Sequence, residues 1–209
     1  KSKKIPRLSN LTITTPTSLA QALDLLVRQI YRVLGGGTDL IVQARLKSEP
    51  QQWLNIAQLP ELTRITEDDA TITLGGAVTF TTLLRHESLR RHFPVLLQAC
   101  AKIASTQIRN RATIAGNIVN AAPCADAVPP LILYQATLQL QSQAGMREMP
   151  AADFISTHYH TQIRLDELLV AITLPKPKKP YYSGYFQLGR RNAMNITRIF
   201  RSQKEYCVS

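Results

Sequence analysis

RNRATIAGNIVNAAPCADAVPP, residues 109–130, opens on two arginines and then alternates small and β-branched residues. Asparagines, a cysteine, an aspartate and three prolines follow within a few positions. Nothing in the stretch is bulky enough to be ordinary core, and it is too apolar for a solvated linker. Such a composition suits backbone held close to something else. LGGGTDL at 34–40 raises the same question.

Around that second stretch, YRVL reads as a short strand running into Gly35, Gly36 and Gly37. Thr38 or Asp39 is placed to cap a following helix over TDLIVQARL. Strand, glycine turn and helix start together form an anion site, because unpaired N–H groups point outward at the turn. Glycine permits positive φ there and removes a Cβ that would block close approach. A plain tight turn explains the same three glycines equally well. The spacing is not G-x-G-x-x-G and no G-K-[ST] follows, so neither the usual dinucleotide fingerprint nor the ATP loop is indicated.

Composition narrows the class. The 209 residues are 44% hydrophobic, enough for one good core or two small ones. No apolar run approaches the roughly 20 residues of a membrane span. No apolar segment follows the charged opening KSKKIPRLSN, so it does not read as a secretory signal. Cys100, Cys124 and Cys207 form no C-x-x-C pair, which points to a reducing, cytoplasmic setting and away from an iron–sulfur cluster on this chain. The formal charge of +11 is concentrated in the tail: from Lys176 onward eight Lys or Arg face one Glu. Lys176, Lys178 and Lys179 alternate with prolines in a connector. That pattern reads as a solvated basic surface, or a face for an acidic partner, rather than a nucleic-acid groove.

The order of elements is mixed. SLAQALDLLVRQI, 18–30, has helical periodicity with Ser18 and Gln21 spaced as a capping box. NIAQLPEL at 55–62 reads as helix plus loop and EDDA as an acidic turn. TITLGGAVTF at 71–80 alternates like a strand, with Gly75–Gly76 as a bulge or close contact. FTTLLRH and PVLLQACAKIA are helical. LILYQATLQLQSQAG passes from helix to strand, MREMPAADF is a connecting edge, and ELLVAITLP and YYSGYFQLG are strands. The class is α+β. An N-terminal lobe ends at residue 57, a second lobe covers 58–175, and 176–209 is a linker entering a further, incomplete domain.

In the central stretch Asn117 and Asn120 can bond backbone or ligand. Asp126 suits either a ribose hydroxyl or the cap of a helix over AVPPLILY. Arg109 and Arg111 suit a ligand, surface solvation, or pairing toward Glu148 or Asp153. Cys124 is a small filler or an exposed thiol, with no histidine near it in sequence to activate it. His158 and His160 make one H-x-H pair without a completing ligand, which reads as a polar loop. No catalytic constellation emerges, so any chemistry belongs to a cofactor held mainly by backbone.

VLGGGTDLIVQARL at 33–46, LGGAVTFTTLL at 74–84 and QIRNRATIAGNIVNAAPCADAVPPLI at 107–132 resemble the flavin-binding medium subunit of the molybdenum hydroxylases, the xanthine dehydrogenase-like proteins. DF at 153–154, DELLVAITLP at 166–175 and YFQLGRRNAM at 185–194 match in the same order, so the resemblance spans nearly the whole chain. It implies a two-lobe, PCMH-type (vanillyl-alcohol-oxidase-like) fold with FAD extended between the lobes. Val33, Leu34, Gly35, Gly36, Gly37, Thr38, Asp39 and Leu40 would wrap the pyrophosphate. Thr113 and an Ala115–Gly116–Asn117 loop would complete the cradle. Asp126 would bind the adenosine ribose, Leu169 would contact the adenine end, and Gln187 would stand where many relatives carry a flavin-proximal lysine.

The implied role is electron transfer, from a [2Fe–2S] small subunit and a molybdopterin large subunit through FAD to NAD or another acceptor. The sequence departs from the pattern at Ala115, where relatives have a first glycine, at Gln187, and in the tail IFRSQKEYCVS, which stands where relatives continue into a further domain. These departures support an alternative, a cofactor-free structural remnant of such a subunit.

Overall fold

In the computed structural model the described residues are 11–44, 51–123, 125–178, 181–188 and 196–203. The chain opens with β1 (Leu11–Thr14), α1 (Leu19–Arg28), β2 (Arg32–Leu34), α2 (Leu40–Ala44) and β3 (Gln51–Asn55). The three strands form a parallel sheet in the order β1-β3-β2. NIAQLPEL forms turns after β3 rather than a helix, and the strand that precedes it, QQWLN, is the centre of the sheet.

Helix α1 buries Ala22, Leu23 and Leu26, the stripe its periodicity requires. Ser18 caps it, its Oγ accepting from the Gln21 amide at 3.2 Å. The Gln21 side chain turns one residue further back than a capping box demands and accepts from the Thr17 amide at 2.6 Å. Ser18→Ala is expected to cost about 1 kcal/mol, read as a lower urea midpoint at unchanged slope.

The second lobe runs through β4 (Ile65–Glu67), β5 (Thr71–Gly75), α3 (Phe80–Arg85), α4 (Glu87–His92), α5 (Pro94–Lys102), α6 (Thr106–Arg109), α7 (Ile114–Asn120), α8 (Val128–Leu133), β6 (Thr137–Ser142), β7 (Gly145–Pro150), α9 (Ala151–Phe154), β8 (Ile155–Thr157), β9 (His160–Thr161) and β10 (Leu168–Pro175). An antiparallel sheet in the order β4-β5-β10-β6-β7 packs its inner face against α3, α5, α7 and α8. Phe93 and Tyr134 meet edge to face at 5.0 Å in this core, and the Tyr134 hydroxyl accepts from the Val95 amide at 3.3 Å. MREMP, read as a connecting edge, is the outer strand β7.

Strand β10 joins the two lobes. Leu169, Ile172 and Leu174 face the large core, whereas Leu168 and Val170 pack with Ala22, Leu23 and Leu26 of α1. Strict alternation would send Leu169 and Ile172 to opposite faces. A register shift against β6 between Leu169 and Ala171 resets the phase, so one apolar run serves both cores.

Lys176, just past β10, is not a free surface cation. Its ammonium pairs with Glu67 at 2.6 Å and donates to the Asp68 carbonyl, and its amide donates to Ala70 O at 2.7 Å. The acidic turn closes on itself, with Asp68 Oδ1 accepting from the amides of Ala70 and Thr71. After it come β11 (Tyr181–Leu188) and β12 (Ile196–Gln203), an antiparallel pair lying near α5 and α8. Among the described residues no helix is long and apolar enough to cross a membrane.

Candidate cofactor-binding site

A cleft of about 420 Å³ lies between the lobes. The first lobe lines it with Val33, Gly35, Gly36, Gly37, Thr38, Asp39 and Leu40. From the second lobe come Thr113, Ala115, Gly116, Asn117 and Leu169. The two glycine-bearing stretches therefore face one space, although more than 70 residues separate them in sequence.

The turn after β2 owes its glycines to the chain as well as to any ligand. Gly37 has φ 73°, which a residue with a Cβ rarely adopts. At Gly36 a Cβ would overlap the Arg111 carbonyl, and at Gly35 it would stand 2.9 Å from Thr113 Oγ1. What approaches this turn so closely is residues 111–113 of the other lobe. The amides of Gly36, Gly37, Thr38 and Asp39 donate to no other described residue, which leaves a run of N–H groups beside the cleft. Successive unpaired amides in a turn are a concave donor surface for an anion.

The other wall differs from the expected loop. Ala115, Gly116 and Asn117 form the first turn of α7, capped by Thr113, and their amides are already used. Ala115 donates to Gly76 O at 3.1 Å, Gly116 to Thr113 Oγ1 at 3.2 Å and Asn117 to Thr113 O at 3.1 Å. The backbone here frames the cleft rather than offering donors to it. The Ala115 methyl is 9% exposed and belongs to the large core, beside Gly76, whose missing side chain makes room for it. One polar atom is left over: Asn117 Oδ1 is buried without a hydrogen-bond partner. A buried acceptor in that state calls for a donor.

Side chains tie the walls together across the cleft mouth. The Gln43 amide nitrogen donates to Asp39 and, at 3.4 Å, to Asn120 Oδ1, while Arg32 donates to Gln43 Oε1 at 3.2 Å. Asp39 thus serves Gln43 and does not cap the helix backbone. Arg111 Nε donates to Gly36 O at 3.4 Å, so it meets the glycine turn and not the Glu148 side of the molecule. Arg109 is structural: it donates to the carbonyls of Ile103 and Ala104, both at 2.8 Å.

Leu34 and Asp126 are not brought to the cleft lining. Leu34 sits behind the turn, its carbonyl accepting from Ile56 at 3.0 Å. Asp126 is half-buried outside the lining, and α8 takes Ala127 at its cap position without a side-chain bond. Gln187 lies on β11 opposite Thr197, its side chain outside the described part, as is Cys124. Cys100 is a core thiol pushed up to about 12 by burial. His158 and His160 flank Tyr159, whose φ of 63° turns the β8–β9 hairpin and whose amide donates across to Ala121 O at 2.8 Å. Among the described residues no group of His, Cys, Asp and Glu could hold a metal ion.

The segment before β10 was not anticipated. Ile163, Arg164, Leu165 and Glu167 also line the cleft. Glu167, 4% exposed, accepts from Arg147 Nε at 2.7 Å and Nη2 at 2.8 Å, and from the Arg164 amide at 2.8 Å. The Arg147 guanidinium, outweighing burial, holds its carboxyl below the usual range. Tyr31, Ile56, Phe80, Ile103 and Ile108 supply apolar wall that reads as core in the sequence.

Comparison with known proteins agrees with this geometry. Residues 9–177 match the family described as FAD binding domain in molybdopterin dehydrogenase. A xanthine dehydrogenase FAD-binding subunit of Escherichia coli is 37% identical over 186 residues, covering 87% of this chain and 64% of the relative. A nicotinate dehydrogenase FAD-subunit of Eubacterium barkeri is 30% identical, covering 80% and 58%. Among solved structures, the carbon monoxide dehydrogenase of Hydrogenophaga pseudoflava superposes with a TM-score of 0.84 at 28% identity, over 90% of this chain and 66% of that one. The chain thus spans less than two thirds of the length of these curated relatives. Its two-lobe α+β fold is of the PCMH type, and the chain belongs to the family of FAD-binding domains of the molybdopterin dehydrogenases.

Proposed function

We propose that the chain binds FAD in the cleft between its lobes and serves as the flavin-bearing, electron-transferring part of a molybdenum hydroxylase. The observation that carries this reading is the run of amides at Gly36–Asp39 that donate to no described residue, set in a largely apolar cleft with one orphaned acceptor opposite. Amides would receive phosphate oxygens, apolar walls would receive ring surface, and Asn117 Oδ1 would receive a donor from the ligand. FAD, when bound, supplies the redox chemistry that no side chain of this cleft offers. The chain's own residues bind and orient it. Gly36–Asp39 offer a ready donor surface, Thr113 fixes the start of α7, and the Gln43–Asn120 and Arg111–Gly36 bonds keep the walls at their spacing. Asp126 as ribose partner and Gln187 beside the flavin rest on family resemblance.

The partners that fit are a [2Fe–2S] subunit and a molybdopterin subunit, with NAD or another acceptor downstream. Similarity to the xanthine dehydrogenase subunit favours a purine or related N-heterocycle as substrate of the whole assembly. Flavin reduction in the isolated complex by hypoxanthine supports that choice, and reduction by an aromatic aldehyde alone overturns it.

Titration of the purified chain with FAD, followed by flavin fluorescence, tests the central reading. Saturable binding is expected. A chain that stays colourless and leaves the fluorescence unchanged is the cofactor-free remnant instead. Asn117→Ala should weaken binding about tenfold, the worth of one hydrogen bond to a buried acceptor.

A further inference from the structure

Between β9 and β10 the backbone arches along the cleft, and its apex carries an unexplained side chain. Leu165 is 76% exposed, more than any other large apolar residue among those described, and it lines the cleft. Ile163 and Arg164 line it too. The arch itself is held firmly. At its start the Gln162 amide donates to Phe154 O at 2.9 Å, and the Gln162 carbonyl accepts from Arg147 Nη2 at 2.7 Å. At its end the buried Glu167 carboxylate takes two bonds from the same guanidinium and one from the Arg164 amide. One arginine on β7 therefore pins both feet of the arch and leaves the apex at the cleft. Fixing a backbone that tightly, only to present leucine to water, gains nothing for the free chain. A ligand ring laid in the cleft would cover it.

We infer that residues 163–165 form a clamp arm on the ligand, with Leu165 the contact and the Arg147–Glu167 pair the positioning device. The inference rests on the FAD reading above and extends it to a recognition element for a flat, ring-bearing nucleotide. Removal of apolar area from water supplies the affinity, and the ion pair supplies the geometry.

Limited trypsin digestion of the full chain, with and without FAD, gives the first test. Arg164 has a 70% exposed side chain in the arch, so the bond after it is a cleavage site. Saturating FAD should protect it, while cleavage after the exposed Arg64, which is not part of the cleft lining, continues unchanged. Leu165→Ala should weaken FAD binding about tenfold through lost apolar burial, without moving the unfolding midpoint. Arg147→Met combined with Glu167→Leu removes the clasp without leaving a buried charge. That chain should fold, bind FAD more weakly and lose the protection at Arg164. The clamp is overturned if the unaltered chain binds FAD while Arg164 stays unprotected and Leu165→Ala binds equally well. Failure of the unaltered chain to bind FAD at all overturns the FAD reading, and the clamp with it.

Discussion

Replacing Gly36 by alanine is expected to lower FAD affinity by about tenfold to a hundredfold, the equivalent of roughly 1–3 kcal/mol of overpacking at a site that cannot relax. The reason lies in the chain before it lies in the ligand. A methyl group at 36 would overlap the Arg111 carbonyl, with Ala112 Cα also too close at 2.8 Å. Both obstacles are backbone, so no rotamer change relieves them. The turn and residues 111–112 must separate, which widens the cleft, breaks the Arg111–Gly36 bond and moves the Gly36–Asp39 amides away from Asn117. Fluorescence titration measures the loss, and urea unfolding shows whether the chain remains folded. Unchanged affinity in a folded Gly36→Ala chain would show that the spacing of the walls does not govern binding.

The second large effect is on stability. Arg147→Ala should cost about 3 kcal/mol at neutral pH, toward the low end for breaking a buried pair. The low end applies because the Arg147 side chain is itself 31% exposed, whereas that of Glu167 is only 3% exposed. The substitution leaves Glu167 charged in the protein with only the Arg164 amide and, at 3.9 Å, the exposed Arg164 guanidinium to meet it. Acid should erase the difference. The folded carboxyl of Glu167 titrates below its ordinary range, so its contribution is complete above the unfolded value, roughly pH 4.3, and fades as pH falls through the depressed folded value. Urea midpoints of the two chains should therefore converge on acidification. A gap that persists once Glu167 is protonated would mean that Arg147 acts through packing and not through charge.

Legibility in the sequence followed the source of each signal. Strand β10 was plain because an apolar run broken only by Thr173 and ending in proline has few other uses, and α1 because its stripe is regular. Strand β3 was hidden: its two glutamines obscure the apolar pair Trp53 and Leu54, and its place depends on partners from β1 and β2. The glycines at 35–37 announced a close approach but could not say that the approaching body was Arg111. The loop at Ala115–Gly116–Asn117 was implied by the family resemblance, and Thr113, Gly116 and Asn117 are weak helix formers, yet the Thr113 cap and the burial of Ile114 and Ile118 make the segment helical. The clasp was invisible for a different reason. Arg147 and Glu167 stand twenty residues apart, one on β7 and one just before β10, which is not a neighbour of β7 in the sheet, so only the folded chain brings them together.

The bulge in β10 has a consequence for how the molecule comes apart. Because Leu168 and Val170 belong to one core while Leu169 and Ile172 belong to the other, neither lobe can open without disturbing the strand that completes its neighbour. The lobes are then a single cooperative unit for hydrogen exchange. Amides in the middle of β10, paired on both sides by β5 and β6, should exchange only through global opening, and those of α1 should approach the same limit although that helix lies in the smaller lobe. The cleft is thus built between halves that share one unfolding free energy, so a ligand gripping either wall stabilises both.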